Sequence, residues 1–304
     1  MFALSRHGKR YLLLAAIAAL AAVALGGERF FDSALRGYLA MKGVHSRYLR
    51  KGATTIYFLE GGREHPRTVI LLHGVGGKAL TSWFRLLPSL AEKYHVIAPD
   101  LFFANLPDLV GSGYDVRSET SLLDLLMTGE KIGRAALVGL SFGAWPALRT
   151  AVDRPDRVER LVLVSPLDGA ANEVLSLLDL DPADPGRDFY YRIFDSPPPV
   201  PPLFLHSHWD RTSAVFRALP SFRTQLEAEG RYLDRSLGRV RCPVLVLHGA
   251  NDLIISAARF EAMVAAIPGG RGEAVAGSGH ALVWDRADRL REAVEAFLDQ
   301  GDAS

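Results

Sequence analysis

Hydrophobic positions along this chain follow two periods that alternate with one another. Short apolar runs occur at Thr68-Val69-Ile70-Leu71-Leu72, Tyr94-His95-Val96-Ile97-Ala98, Ala135-Ala136-Leu137-Val138, Leu161-Val162-Leu163-Val164 and Val244-Leu245-Val246-Leu247. Unbroken runs of this length predict strands buried on both faces of a mainly parallel sheet. Between and after them, Leu80–Glu92, Ser118–Lys131 and Asp285–Leu298 carry apolar residues at helical spacing. Strands separated by helical patterns predict βαβ units, with helices on both faces of the sheet. Arg47-Tyr48-Leu49-Arg50 and Thr54-Thr55-Ile56-Tyr57-Phe58-Leu59 are alternating or β-branched and aromatic, and predict two strands joined by a turn at Gly52. Glu273-Ala274-Val275 is a weaker candidate for a last strand.

The polar residues that follow these runs carry the candidate chemistry. Gly139-Leu140-Ser141-Phe142-Gly143 sits between a predicted strand and Ala144-Trp145-Pro146-Ala147-Leu148-Arg149, which reads as a helix. In that context Gly139 and Gly143 permit a sharp strand-to-helix turn that projects the serine from the sheet edge. Val244–Leu247 runs into His248-Gly249-Ala250-Asn251-Asp252, and the last strand candidate is followed by Gly277-Ser278-Gly279-His280. Ser141, Asp252 and His280 therefore each fall just beyond the end of a predicted strand, at the edge where open α/β sheets bind ligands. A serine hydroxyl needs a base to become nucleophilic, and imidazole titrates near working pH.

Composition narrows the function classes. The chain has 304 residues and a formal net charge of +1, so no excess of cations argues for a nucleic-acid partner. Cys242 is the single cysteine, which excludes an intrachain disulfide and a cysteine zinc site. Ahead of Pro243, it reads as a small buried side chain.

The N-terminus has its own pattern. Arg6, His7, Lys9 and Arg10 precede an apolar run from Tyr11 to Gly27 that stops at Glu28-Arg29, a membrane-targeting layout. Two fates compete: an uncleaved signal anchor, which the length favours, and a cleaved signal peptide, for which Ala22-Val23-Ala24 is a suitable site. The anchor reading makes the protein single-pass, with the catalytic domain on the non-cytoplasmic face; the other makes it secreted or periplasmic. Phe30-Phe31, Leu35 and Tyr38-Leu39 extend the segment as an amphipathic helix, either a spacer or a surface-lying element. The organisation expected is thus residues 1–44 as anchor (apolar 11–27) and linker helix, then a catalytic domain over 45–304.

Five motifs in order, His73-Gly74-Val75-Gly76-Gly77, Val96-Ile97-Ala98-Pro99-Asp100, Gly139–Gly143, Gly249-Ala250-Asn251-Asp252 and Gly277-Ser278-Gly279-His280, make the stretch from Tyr48 to Leu298 resemble the α/β-hydrolase superfamily. Within it, the resemblance is to the serine esterase, monoacylglycerol lipase and C–C hydrolase group. It implies an α/β-hydrolase fold with a mostly parallel eight-stranded sheet. It also implies that Ser141 is the nucleophile, His280 the base and Asp252 the acid orienting it, with the backbone N–H groups of Val75 and Phe142 forming the oxyanion hole. Asp168, after the strand ending at Val164, occupies a second place from which such a fold supplies its acid. His73 reads as a structural histidine beside the oxyanion turn, and His95 and His248 as satisfied core residues.

Two departures stand out. Most members of the family this chain resembles carry a Gly-rich turn containing a serine after the Pro-Asp pair, whereas Leu101-Phe102-Phe103-Ala104-Asn105-Leu106-Pro107 here predicts an apolar wall beside the site. Trp145 is bulkier than the small residue usual in the turn, and Pro146 is tolerated because it lies in the first turn of a helix.

Residues 167–238 exceed what the core needs, and the resemblance implies a helical cap over the serine. Phe189, Tyr190, Tyr191, Phe194, Phe204, Trp209 and Phe216 lie within it, most assigned to the cap's own small core, and the proline cluster 197–202 reads as a stiff connector. His206, His208 and Asp210 would share one face if extended, like metal ligands; with no further ligand nearby, they read as a surface or cap-lining group. The expected activity is hydrolysis of carboxylic esters with an apolar acyl group, for example a monoacylglycerol, needing no cofactor or metal. The alternatives are a C–C hydrolase of ring-cleavage diketones and an inactive membrane-anchored module. The partners expected are a small-molecule ester and, through the N-terminal helix, the membrane.

Overall fold

A computed structural model describes residues 31–52, 54–167, 180–198 and 202–300, without the side chains of 105–106 and 202–207. The apolar segment 11–27, Asp168 and residues 199–201 of the proline cluster lie outside the described residues. Among the described residues no helix is long and apolar enough to cross a membrane.

Eight strands form one sheet in the order β1-β2-β4-β3-β5-β6-β7-β8. They are β1 (His45–Lys51), β2 (Thr54–Gly61), β3 (Thr68–Leu72), β4 (His95–Pro99), β5 (Ala135–Leu140), β6 (Val158–Val164), β7 (Val244–Gly249) and β8 (Arg271–Val275). The first hairpin pairs antiparallel and β2 joins β4 antiparallel; every other pairing is parallel. Every residue of β3, β4, β5 and β7 is buried, as their unbroken apolar runs predict. Gly52 makes the hairpin turn at φ 58°, a conformation glycine enters at little cost.

Period-two alternation sorts each strand between two apolar layers. On one face Ile70, Leu72, Leu137, Leu161 and Leu163 pack with α1 (Ser118–Gly129), α2 (Ala144–Asp153) and helices inserted after β6. On the other, Val69, Leu71, Val138, Val162 and Val164 pack with Leu290, Val294 and Phe297 of the C-terminal helix Ala287–Leu298. The helical stretch predicted over Leu80–Glu92 is two short helices, Ala79–Trp83 and Leu87–Ala91. Pro88 explains the break, because it is accommodated at the start of the second helix and not inside a continuous one.

The inserted helices are α3 (Pro185–Ile193), α4 (Pro202–Ala218) and α5 (Arg223–Asp234), after which the chain returns through β7 to α6 (Ala257–Ala266) and the final helix α7 (Ala287–Leu298). Residues 31–41 are helical, and Leu35 and Leu39 are buried in the second apolar layer. This described part of the expected linker therefore packs on the domain instead of merely spacing it.

Candidate active site

The sheet order reverses at β3: the chain crosses from β3 to β4 on one side and then to β5 on the other. Loops leaving β3 and β5 diverge at such a point and open a crevice at the carboxyl edge. Ser141 follows β5 there with φ 50°, left-handed for a residue that has a Cβ. The flanking glycines permit the strain. A Cβ on Gly143 would lie 2.2 Å from the Leu72 carbonyl oxygen, and one on Gly139 would lie 2.6 Å from the Ala144 Cα. The turn is wedged against β3 so closely that only hydrogen fits. α2 begins at Ala144, directing its N-terminal dipole toward the serine.

Ser141, His280 and Asp252 converge. Ser141 Oγ lies 2.9 Å from His280 Nε2, and His280 Nδ1 lies 2.9 Å from Asp252 Oδ2. The other Asp252 oxygen accepts from the backbone N–H of Ile254 at 2.8 Å and of Ile255 at 2.9 Å. Burial alone would raise this carboxyl, but the adjoining imidazole and the two amides outweigh it and hold the group below the usual carboxylate range. Asp252 therefore stays ionised while its side chain is wholly shielded from solvent.

The loop after β3 runs against the turn bearing Ser141. A Cβ on Gly74 would stand 3.2 Å from that of Ser141. His73 is fully buried. Its Nε2 accepts the Leu101 N–H at 2.9 Å, which fixes the proton on Nδ1, and Nδ1 donates to the Gly74 carbonyl at 2.9 Å. Burial, opposed in part by the Asp100 carboxylate, holds this imidazole below its ordinary value and so neutral. His95 is held by Glu60 at 2.9 Å and is a satisfied core residue. His248 is only partly so: it stacks on Phe260 with ring centroids 4.9 Å apart, and its Nδ1 stands 3.8 Å from Asp252 Oδ2. Cys242 is buried, and burial pushes its thiol up to about 11, away from nucleophilic chemistry.

A cavity of about 460 Å³ opens above the serine. Val75, Leu140, Phe189, Ile193, Phe194 and Trp284 give it a largely apolar wall, and His280 and Ser141 lie at its floor. The cap aromatics serve two ends: Phe189 pairs with Phe216 at 4.6 Å inside the cap core while also facing the cavity. His208 and Asp210 lie on α4, so the shared face expected of an extended strand does not exist; His208 lines the cavity. Among the described residues no group of His, Cys, Asp or Glu is arranged to hold a metal ion.

Several residues at the site are not legible in the sequence. Asp285 Oδ2 accepts the Gly279 N–H at 2.8 Å and the Asp195 N–H at 3.0 Å, and the Ala281 N–H donates to the Ile193 carbonyl at 2.7 Å. The end of α3 is thereby stitched to the loop carrying His280. Glu119 of α1 is buried, and burial pushes its carboxyl up to about 7 against the pull of the Tyr114 hydroxyl and the Phe102 and Phe103 amides.

Such a fold and crevice define an α/β hydrolase. Residues 69–293 match the alpha/beta hydrolase family, and the chain belongs to it. It is 30% identical over 278 residues to the dihydrolipoyllysine-residue acetyltransferase component of the acetoin cleaving system of Cupriavidus necator, covering 84% of this chain and 67% of that one. The fold is similar to the crystal structure of a bacterial membrane phospholipase A, with 24% identity and a TM-score of 0.72 over 96% of this chain and 98% of the other. It is also similar to the lipase-like protein lip1 from Acinetobacter baumannii, with 22% identity and a TM-score of 0.74 over 88% and 95%. The protein is accordingly a hydrolase of this family.

Proposed function

We propose that the protein hydrolyses carboxylic esters through an acyl-enzyme on Ser141. The observation that most supports this reading is the unbroken hydrogen-bonded series from Ser141 through His280 to a buried, ionised Asp252, opening into an apolar cavity. His280 takes the Ser141 proton as the hydroxyl attacks the ester carbonyl, and Asp252 fixes the imidazole tautomer and stabilises the imidazolium. The tetrahedral oxyanion is received by the N–H groups of Val75 and Phe142, and the imidazolium then protonates the leaving alcohol. Water enters, His280 deprotonates it, and attack on the acyl-enzyme releases the acid and restores the serine.

The cavity wall favours an apolar acyl group, because its few polar groups cannot repay the desolvation of a charged one at every point along it. A lipid-derived ester such as a monoacylglycerol fits that chemistry. In this reading residues 11–27 hold the enzyme at a membrane, with the hydrolase domain on the non-cytoplasmic side. The membrane phospholipase A and the lipase-like protein on the same fold are consistent with the substrate class.

Turnover of p-nitrophenyl esters of graded chain length tests the activity, with a ring-cleavage diketone as the competing substrate. Ser141→Ala should abolish ester turnover and fluorophosphonate labelling together. Undiminished turnover in that variant would remove the proposal, and diketone cleavage without ester cleavage would replace it. Cell fractionation with sequencing of the mature N-terminus tests the anchor.

A further inference from the structure

The apolar loop Leu101-Phe102-Phe103, which follows β4, is held from behind by one buried side chain. Glu119 of α1 accepts the Phe102 N–H on Oε2 at 2.9 Å, and the Phe103 N–H on Oε1 at 2.8 Å. The Tyr114 hydroxyl donates to the same Oε1 at 2.5 Å. Three donors converge on one carboxylate that is only 3% exposed. A buried carboxylate is costly, and although Glu119 sits in the first turn of α1, where the helix N-terminus favours an acidic group, its oxygens are turned to the 102–103 amides and Tyr114.

What the loop touches supplies the use. The Phe103 ring meets His73 edge-on at 5.4 Å and Phe142 at 5.8 Å. Two residues earlier, the Leu101 N–H donates to His73 Nε2, and His73 Nδ1 donates in turn to the Gly74 carbonyl, immediately before Val75. The loop thus reaches both residues proposed to supply the oxyanion donors: Phe142 through a ring contact with Phe103, and Val75 through His73 and Gly74.

We infer that Glu119 is a positioning residue for the oxyanion hole, clasping the 101–103 loop so that the Val75 and Phe142 N–H groups are held toward the substrate carbonyl. The inference rests on the ester-hydrolase reading of Ser141. The bonds of Glu119 run to the loop and to Tyr114 and none to Ser141, so its effect is expected in the transition state, where the carbonyl oxygen acquires charge and geometry is most demanding.

Glu119→Gln preserves shape and cannot preserve the clasp. An amide offers one acceptor oxygen, so one orientation sets its NH₂ against the Phe102 N–H and the other sets it against the Phe103 N–H. Complete loss of one oxyanion donor costs about 10²–10³ in kcat, and a displaced donor should cost part of that, roughly 10-fold to 100-fold. KM should stay within about twofold, because the ground-state ester relies little on those donors.

A purely structural role would lower stability and leave chemical selectivity alone, so the deciding readout compares an ester with its thionoester. Sulfur is a poor hydrogen-bond acceptor, and an intact oxyanion hole therefore favours the oxygen ester. In Glu119→Gln the ratio of kcat/KM for ester over thionoester should fall about 10-fold or more, in step with kcat. Phe103→Leu keeps the clasp but removes the ring contacts to His73 and Phe142; it should shift the ratio the same way and decides the matter if the glutamine variant does not fold. An unchanged ratio in the folded variants overturns the inference, whatever happens to thermal stability. If Ser141→Ala retains turnover, the reading of the site itself fails; an unchanged ratio beside an inactive Ser141→Ala sinks the role of Glu119 alone.

Discussion

Replacing Asp252 by Asn changes almost nothing in shape and should nearly silence the enzyme. The wild-type carboxylate divides its acceptors: Oδ1 takes the Ile254 and Ile255 amides, and Oδ2 takes His280 Nδ1. Asn has one acceptor oxygen, and two buried amides compete for it against one imidazole. The oxygen therefore stays with Ile254 and Ile255, and the NH₂ faces His280 Nδ1. That nitrogen must then accept, which moves the ring proton to Nε2, the atom 2.9 Å from Ser141 Oγ. An Nε2 that carries a proton cannot take one from the serine. The equivalent wrong-tautomer substitution in serine proteases lowers kcat about 10⁴-fold, which corresponds to about 5.4 kcal/mol of transition-state stabilisation. Steady-state hydrolysis of p-nitrophenyl butyrate at pH 7.5 by the variant, with its fold checked by circular dichroism, measures the loss. The fluorophosphonate labelling rate should fall in parallel. A folded Asp252→Asn variant within about tenfold of wild type would refute the tautomer argument and the role of Asp252 with it.

Gly143→Ala places a Cβ 2.2 Å from the Leu72 carbonyl oxygen, which backbone on both sides prevents from yielding; thermal denaturation should show a loss at or above the top of the usual overpacking range of about 1–3 kcal/mol, and activity should fall with it. Asp285→Ala leaves the Gly279 and Asp195 N–H groups without their acceptor, and should lower both kcat and the melting temperature, with limited proteolysis appearing first in the cap. His248→Phe is a test of linkage. Burial, offset only partly by the Asp252 carboxylate, holds this imidazole below its ordinary value. A histidine with a depressed folded pKa contributes stability that is present above the unfolded value near 6.5 and is lost as pH falls toward the folded one. Relative to the phenylalanine variant, wild type should therefore lose up to about 1.4 kcal/mol of unfolding free energy per pH unit below about 6.5, and parallel curves from urea titrations would contradict this.

The strands were legible because a chain buried on both faces must be apolar at every position, so β3, β4, β5 and β7 appear as unbroken runs whatever surrounds them. Ser141, Asp252 and His280 were legible for a related reason: each ends a strand in a Gly-rich turn, and a turn wedged against a neighbouring strand leaves its glycines in the sequence. Where the outcome depended on the neighbours of a segment, reading failed or stopped short. His206, His208 and Asp210 would alternate on one face only if their segment were extended, and that segment is helical in α4, where His208 lines the cavity as a cap-lining residue. The helix expected over Leu80–Glu92 divides at Pro88, which fits the start of a helix as readily as it ends one.

Local pattern alone thus determined the α/β order, the sharp turn at Ser141 and the placing of Ser141, Asp252 and His280 beyond strand ends, because burial and backbone strain act on adjacent residues and leave their mark in place; that the three meet is tertiary. Only the tertiary structure decided that Glu119, on what reads as an ordinary amphipathic helix, turns inward to hold amides 16 and 17 residues earlier in the chain. It also decided that Asp285 ties the cap to the His280 loop across 90 residues. Such contacts follow from where the sheet sets its loops in space, and no spacing along a single segment encodes that.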